Sequence, residues 1–483
     1  MKFSKQLIYI CLVIISVTGC KVGEKYQRPE MRKVDDYYGT AQDSIHVGEK
    51  LSQISWKDYF ADSTLIALID SALVNNINMQ KAVKQVEIGF QNLEQSKANF
   101  YPTLGFTPFD FNREYYSENY NNYGSNRARR NHGDSPPTTL YTERLAYSSA
   151  LSASWEIDIW GKFRWQKEAA RASYMKTKEF QKAVKTALVA EIASIYYNML
   201  MINSQIAVAE KNLELGNRTL KIVKLQFDAD ETTSLAIQQT ESQILRARSL
   251  IPRLEKEYRV LENRLNQLLG RYPQPMGIEK GLDLVHLASD YDTGVPVELI
   301  TNRPDVAASE YQLVVSNARV GITKAMRYPS ISLSGGAGLN SFQFENFLDP
   351  SGSAFALLNG SILMPIFKNR KLKTNYLVAV KEREMAILDF KEKFLEAVGD
   401  VSDALITIDK LQDEYNIAQE RIEVTSKGVQ DASLLFESGF ANYLEVISAQ
   451  EDALQSELEL VDLKRQLFLA NIDLYRSLGG GWK

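Results

Sequence analysis

Residues 145–162 read LAYSSALSASWEIDIWGK. Leu145, Tyr147, Leu151, Ala153, Trp155, Ile157 and Ile159 are apolar at odd positions, with Ser148, Ser152, Ser154, Glu156 and Asp158 between them. Side chains alternate across a β-strand, so the pattern predicts a strand with one apolar and one polar face. The period then changes. From Phe163 to Asp230 there is no Pro and a single Gly, Gly216. Over that run Leu188, Ile192, Ile195, Met199, Ile202, Ile206, Ala209, Leu213, Gly216, Leu220, Val223 and Phe227 follow at alternating spacings of four and three. That is an a/d heptad seam, apolar except at Gly216, and a 3.5-residue period implies left-handed supercoiling. A strand feeding a very long coiled-coil helix is the local unit.

The unit occurs twice. Asn75-Asn76-Ile77-Asn78 aligns with Asn302-Arg303-Pro304-Asp305 at an offset of 227, as do Lys97-Ala98 with Lys324-Ala325 and Tyr101-Pro102 with Tyr328-Pro329. Ile159-Trp160 aligns with Ile366-Phe367 at 207, and Leu188 with Leu395 keeps that offset. Leu225 and Phe227 align with Leu434 and Phe436 at 209, and Leu269-Gly270 with Leu478-Gly479 likewise. The step from 227 to 207 places a 20-residue difference between residues 113–143 and their counterpart, residues 343–353. The longer stretch is rich in Asn, Tyr and Arg and carries Pro136-Pro137, as a long exposed loop would.

Each half therefore holds a β-hairpin and a long helical hairpin. Thr103–Asn112 and Ile331–Phe342 supply two further strands, and Leu358, Ile362, Met364 and Ile366 carry the fourth on matching parity. In the second half no Pro follows Pro365, and Ile447, Leu454, Val461, Phe468 and Tyr475 recur every seven residues. Val446, Ala453, Leu460, Leu467 and Leu474 recur beside them, while Gln450, Glu457, Lys464 and Asn471 mark a polar stripe. The outgoing helix is expected to span about 100 Å at 1.5 Å per residue. The return segment, residues 232–270, is far shorter. Residues 62–99 read as one more helical stretch that stacks end to end with it, and Pro252 is a candidate kink.

The ends of the chain set the compartment. Residues 1–19 have the charged start (Lys2, Lys5) and apolar run (Leu7 to Val17) of a signal peptide, too short to span a bilayer. Val17-Thr18-Gly19-Cys20 resembles a bacterial lipobox, which implies cleavage before Cys20 and covalent lipid on its thiol. Cys11 leaves with the signal, so the mature chain keeps no free thiol and no disulfide. Lys21 after the Cys favours the outer membrane by resemblance to known sorting. The boundaries expected are a signal peptide at 1–19, a lipidated segment at 20–61, repeat 1 at 62–270, a linker at 271–296 and repeat 2 at 297–483. Repeat 1 holds a hairpin at 103–160 and helices at 163–270; repeat 2 holds a hairpin at 330–366 and helices at 367–478.

Composition narrows the chemistry. The 483 residues carry 56 Lys+Arg against 60 Asp+Glu, which argues against a nucleic-acid surface. Three His (His46, His132, His286) stand far apart in sequence, and with two Cys they leave no metal or thiol centre to propose. No phosphate loop or nucleophile–His arrangement is present, so the reading is of a protein that is not an enzyme, with no catalytic, cofactor or metal site. The strands, of about ten residues or more, suit a membrane β-strand, although a soluble hairpin with one buried face reads the same way. Four strands cannot close a barrel, and open edges in lipid leave backbone groups unsatisfied. Two chains would give eight strands with a filled interior, and three would give twelve with room for a lumen.

Longer motifs carry a resemblance. Cys20-Lys21-Val22-Gly23 with Tyr26, Pro29 and Trp56, and Trp155-Glu156-Ile157-Asp158-Ile159-Trp160-Gly161-Lys162, resemble the outer-membrane factor lipoproteins of tripartite efflux systems, the TolC-like or NodT-type channels serving RND transporters. Leu299-Ile300, Arg303-Pro304-Asp305, Ala308, Glu310, Asn317-Ala318 and Gly321 follow the same pattern. So do Tyr328-Pro329-Ser330-Ile331-Ser332-Leu333, Met364-Pro365-Ile366-Phe367 and the ending Leu474-Tyr475-Arg476, Leu478-Gly479-Gly480-Gly481-Trp482. The resemblance implies a fold that is mainly α with membrane β: a homotrimer with a twelve-stranded outer-membrane barrel and a long α-helical periplasmic tunnel. It implies a passive exit duct for small molecules such as drugs and toxic compounds. The expected partners are outer-membrane lipid, a periplasmic adaptor and an inner-membrane RND-type transporter. A lipid-anchored coiled-coil scaffold and a duct for type I protein secretion are the alternative readings.

By the same resemblance the tunnel tip is the turn around Gly439, and its first-half counterpart is Asp230, a turn expected to be looser or differently shaped. The periplasmic aperture falls at Leu444, Glu445, Ser448 and Glu451, with Leu235, Ala236 and Gln239 as uncharged first-half equivalents. Ser448 stands where family members carry an acid, and Glu451 where some carry Arg. Three Glu445 side chains near one axis would repel each other, select cations or join interchain pairs; a solvated helix-surface acid is the plainer reading.

Overall fold

The computed structural model describes residues 21–30, 37–38, 50–116, 142–278, 280–282 and 298–483. The expected signal peptide and lipidation site (residues 1–20), residues 117–141 and residues 283–297 lie outside that set. Seven helices of eight residues or more are described: α1 (Ser63–Asn75), α2 (Ile77–Ala98), α3 (Lys162–Asp228), α4 (Ser234–Leu268), α5 (Pro304–Ala325), α6 (Lys371–Glu437) and α7 (Tyr443–Ser477). Four strands accompany them: β1 (Thr103–Tyr116), β2 (Thr142–Ile157), β3 (Ser330–Ser341) and β4 (Ala354–Leu363). None of the described helices is long and apolar enough to cross a membrane.

The repeat is visible in the element lengths. α2 and α5 each have 22 residues, α3 and α6 each 67, and α4 and α7 each 35. Their ends superpose on offsets of 227 for the first pair and 209 for the other two. This corrects one expected alignment. Leu188 does not correspond to Leu395: Leu188 is buried and Leu395 is 69% exposed. The buried counterpart is Ala397, at 209. The offset changes before the helix begins, at Lys368-Asn369, and Gly161 and Arg370 then correspond, both with positive φ (81° and 61°).

The chain divides into two compact units. The first comprises residues 1–27, 91–172 and 314–384 and contains the sheet. The strands are antiparallel in the order β1-β2-β3-β4, so β1 and β4 are its edges. The register sets Leu104, Ala153, Gly335 and Leu358 in one row and Gly105, Ser152, Gly336 and Leu357 in the next. Leu104, Phe106, Leu358 and Ile362 are exposed, an apolar face left open among the described residues. β1 runs four residues beyond the expected Asn112, and β2 begins at Thr142, so the strands take up both ends of the expected 113–143 loop. β4 stops at Leu363, short of the expected Ile366, because Pro365 has no N–H for a ladder.

Gly321 is explained in this unit. A Cβ there would lie 2.4 Å from the Trp165 indole, which is fully buried. The indole N–H of Trp165 donates to the Val22 carbonyl at 2.7 Å, and Val22 N–H donates to the Trp160 carbonyl at 3.2 Å. Lys21 Nζ lies 3.4 Å above the Trp165 ring and 2.6 Å from Glu168. The residues that follow Cys20 are therefore fastened where β2 turns into α3.

The second unit comprises residues 28–90, 173–313 and 385–483. Its core follows the heptad seam: Leu188, Ile192, Ile195, Met199, Ile202, Ala209 and Val223 are buried. Gly216 interrupts the seam because Ile244 of α4 would be 3.0 Å from a Cβ there. Residues 62–99 are not one helix: the backbone turns extended at Asn76 (φ −64°, ψ 127°), separating α1 from α2. The break makes a joint. Asn76 Nδ2 donates to the Leu268 carbonyl at 2.9 Å, at the end of α4. Arg303, its counterpart, has Nη1 3.5 Å from the Ser477 carbonyl at the end of α7. The glycines of the two Leu-Gly pairs complete the joints: a Cβ on Gly270 would be 2.4 Å from the Asn75 carbonyl, and one on Gly479 2.4 Å from that of Asn302. Pro252 lies inside α4, whose helical assignment runs through it.

Two ion networks, each centred on one buried residue (Arg303 and Asp62), hold this unit. Arg303 pairs with Asp305 at 2.7 Å and Asp400 at 2.8 Å. Burial pushes the Asp305 carboxyl up, but the Arg303 hydrogen bond and the charges of Arg303 and Lys393 hold it below the ordinary range. Asp62 caps α1, accepting from the amides of Thr64 and Leu65, from Tyr196 Oη and from Lys280 Nζ, both side-chain contacts at 3.0 Å. Burial raises its pKa, and these four hydrogen bonds outweigh that and lower it. Lys280 belongs to the expected linker, whose described part is built into the unit: Asn203 Nδ2 and Tyr258 Oη both donate to the Ile278 carbonyl.

Two tests follow from these contacts. Gly277, at φ 66° with open space around its Cα, should tolerate alanine for the left-handed strain alone, about 1–2 kcal/mol. Gly479→Ala carries the same strain and a carbonyl clash, so its thermal midpoint should fall clearly further. For pH, a carboxylate with a depressed folded pKa contributes stability above its unfolded value, lost as pH falls through the folded one. Urea midpoints should therefore hold steady above about pH 4 and decline below it. Asp62→Asn should flatten that decline.

Candidate aperture at the helix turns

The two helical hairpins turn with one backbone. After α3, Asp230 N–H donates to the Phe227 carbonyl at 3.0 Å and Glu231 N–H to that of Gln226 at 2.8 Å. After α6, Gly439 N–H donates to Phe436 at 3.1 Å and Phe440 N–H to Leu435 at 2.8 Å. Both are Schellman caps, with Asp230 at φ 58° and Gly439 at φ 77°. The expectation of a looser first turn is thereby corrected. Asp is among the few residues that tolerate the left-handed region, so the first-half turn keeps its shape without glycine.

The hairpins differ one step later. Asn442 caps α7, its Oδ1 accepting from the amides of Leu444 at 2.9 Å and Glu445 at 3.2 Å. Its Nδ2 donates to Glu445 Oε1 at 3.1 Å. Thr233 stands in the same place before α4 and makes no side-chain cap. Glu445 is thus the third residue of a capped helix, where a negative charge favours the dipole. The Asn-x-x-Glu spacing is the signal that sequence reasoning passed over.

Leu444, Ser448 and Glu451, spaced four and three, share one face of α7 with Glu445 beside them, and all four are exposed. The other face packs: Val446 joins Val223, Ala236 and Phe436 in an apolar cluster that ties the two hairpins together. Gln450 is buried and donates to Thr219 Oγ1 at 3.0 Å, and Lys211 pairs with Glu457 at 2.6 Å. Gln450 and Glu457 of the α7 polar stripe therefore face α3. Of the first-half equivalents, Leu235 and Gln239 are exposed and Ala236 is fully buried. Gln239 Oε1 accepts from Tyr443 Oη at 2.7 Å, a link between the hairpins that no sequence period announces. Among the described residues no group of acids, His or Cys could hold a metal ion.

A four-stranded antiparallel sheet with an exposed apolar face, joined to paired 67-residue coiled-coil helices, is the build of an outer-membrane channel protomer. The chain belongs to the outer membrane efflux protein family, whose model matches residues 68–271 and 295–480. Among its relatives is the cation efflux system protein CusC of Escherichia coli O6:H1, 28% identical over 482 residues and covering 99% of both chains. The probable outer membrane lipoprotein SilC of Salmonella typhimurium is 27% identical over 486 residues, again at 99% of each. A crystal structure of CusC superposes with a TM-score of 0.80 at 26% identity, covering 96% of this chain and all of that one. The protein is an outer-membrane efflux channel and not an enzyme.

The cap gives a measurable difference between the turns. Asn442→Ala should cost about 1 kcal/mol locally and speed amide exchange at Leu444 and Glu445 about fivefold, whereas Thr233→Ala should leave the start of α4 nearly unchanged. Hydrogen exchange read residue by residue across both turns checks the pair.

Proposed function

We propose that three copies of this chain share one twelve-stranded barrel and one helical tunnel, forming the exit duct of a tripartite efflux pump. The observation that carries this is the sheet itself. Its edges β1 and β4 have no partner strand among the described residues, and an open edge in hydrocarbon costs several kcal/mol for each unpaired group. Three copies close the sheet and leave a lumen; two would fill it with side chains. The lumen face is then the row of Gly105, Ser152, Gly336 and Leu357 with Ser154, Ser332 and Ser334, small or polar apart from Leu357, and the face of Leu104 and Leu358 meets lipid.

The duct is passive. A periplasmic adaptor and an inner-membrane RND-type transporter supply energy and choose the cargo, small molecules or, as the names of its relatives suggest, cations. Cys20 carries the lipid, and the seating of Lys21 and Val22 against Trp165 supports an anchor held beside the strand-to-helix turn. Leu444, Glu445, Ser448 and Glu451 line the periplasmic aperture, and the acids among them favour cations.

Native mass in detergent should give a trimer, and planar bilayers should show cation-selective conductance. Glu445→Gln should raise basal leak or weaken that selectivity; unchanged conductance and selectivity at several pH values would remove the gating role. A trimer that never conducts, even with its adaptor and transporter, would sink the duct itself.

A further inference from the structure

The repeat supplies the contacts between copies, one residue at a time. Within the chain, α3 of the first half packs against the second half. Lys211 pairs with Glu457, Lys176 Nζ donates to Gln312 at 2.8 Å, and Thr186 lines a cavity of about 140 Å³ with Arg303, Asp305 and Asp400 at the second-half joint. In a closed ring of alternating halves, α6 must meet the first half of the next copy in the same way.

We infer that α6 docks on the α2–α4 face of a second copy, placing Glu420 against Arg248 and Leu395 over the first-half joint. The offsets dictate the pairing. Lys211 and Glu457 correspond to Glu420 and Arg248. The charges are exchanged and the pair remains complementary. Both side chains are exposed, and no ion pair holds either among the described residues. Lys176 and Gln312 correspond to Met385 and Gln85, and Thr186 corresponds to Leu395.

Both sides of that contact are open in the single chain. Met385, Leu388 and Leu395 form a stripe on α6 spaced three and seven, each more than 60% exposed. At the first-half joint a groove of about 650 Å³ is lined by Asn76, Gln85, Phe180 and Leu188, whereas the equivalent second-half cavity is about 140 Å³ and has Thr186 in its lining. Leu395 is the larger side chain at the matching position, and the groove is the larger space. The buried Thr186 and the exposed Leu395 are one position of the repeat, covered once within the chain and once between chains.

This inference rests on the trimeric reading, and the test separates the two. Chains carrying Glu420→Cys and chains carrying Arg248→Cys are co-expressed in full length and treated in membranes with a short bismaleimide. A band at twice the chain mass is expected in the mixture and lost when either variant is expressed alone. Trimers by native mass that give no mixed band would overturn the docking and leave the trimer standing. Monomers by native mass would overturn both. As a second arm, Glu420→Arg should lower the trimer fraction in mild dodecyl sulfate about fivefold, and adding Arg248→Glu should restore it. A double variant no better than the single one would count against the pairing.

Discussion

An unpaired backbone group in hydrocarbon is the constraint on which the rest depends. The chain makes four strands: β2 pairs with β3, and β3 with β4, in unbroken register over ten or more residues, while β2 pairs with β1 across one register shift between Thr107 and Asp110. Only the outer edges of β1 and β4 are left. In the proposed assembly the β4 edge of one copy meets the β1 edge of the next, and the doubling inside the chain makes that possible. Two similar halves already approximate the neighbour relation that the copies must repeat. The alternation of Ser and Gly with Leu, Trp and Ile follows from the same constraint, because one face of a closed sheet meets lipid and the other water.

The helices solve a different problem, that of ending a 35-residue helix against the start of another without leaving carbonyls bare. Gly270 and Gly479 take positive φ so that the neighbouring backbone can approach, and the side chains of Asn76 and Arg303 reach the last carbonyls. The halves reach the same geometry with different chemistry. In the second, Arg303 is nearly buried and bonded to two carboxylates, an arrangement that fixes direction more than it adds net stability. In the first, neutral Asn residues leave room. The difference fits a joint closed by its own chain in one case and by a neighbour in the other.

Most of the architecture was legible in the sequence because its periods are long and unmixed. The period-2 run at 145–159, the heptads from Leu188 and the repeat offsets identified both hairpins, and the lengths of the three helix pairs agree residue for residue. The misses have local causes. Leu188 was matched to Leu395 because both are leucine, while burial, which decides register, pairs it with Ala397. The break at Asn76 carries no Pro or Gly to announce it and exists because the side chain is needed to cap α4. The first turn looked irregular for want of glycine, yet Asp230 accepts the same conformation. At the aperture the face was legible and the cap was not. Glu445 reads as a free acid in sequence and is hydrogen-bonded to Asn442 in the fold.

The repeat also bears on where the tip can give way. Within a chain the two hairpins are joined by the cluster of Val223, Ala236, Phe436 and Val446 and by the Tyr443–Gln239 hydrogen bond. Carried to the proposed contact between chains, the same positions become Ala432, Glu445, Phe227 and Ile237, and the hydrogen-bonded pair becomes Ser234 and Ser448. A fully buried alanine is replaced by a carboxylate, and a tyrosine long enough to bridge is replaced by a serine. A carboxylate set against apolar neighbours disfavours dry packing, and two short hydroxyls span less than a phenol and an amide. On the proposed docking the seam between copies is therefore the weaker one. In the proposed trimer, parting of the three equivalent seams, with Glu445 at each, would leave the cap that binds Glu445 to Asn442 intact.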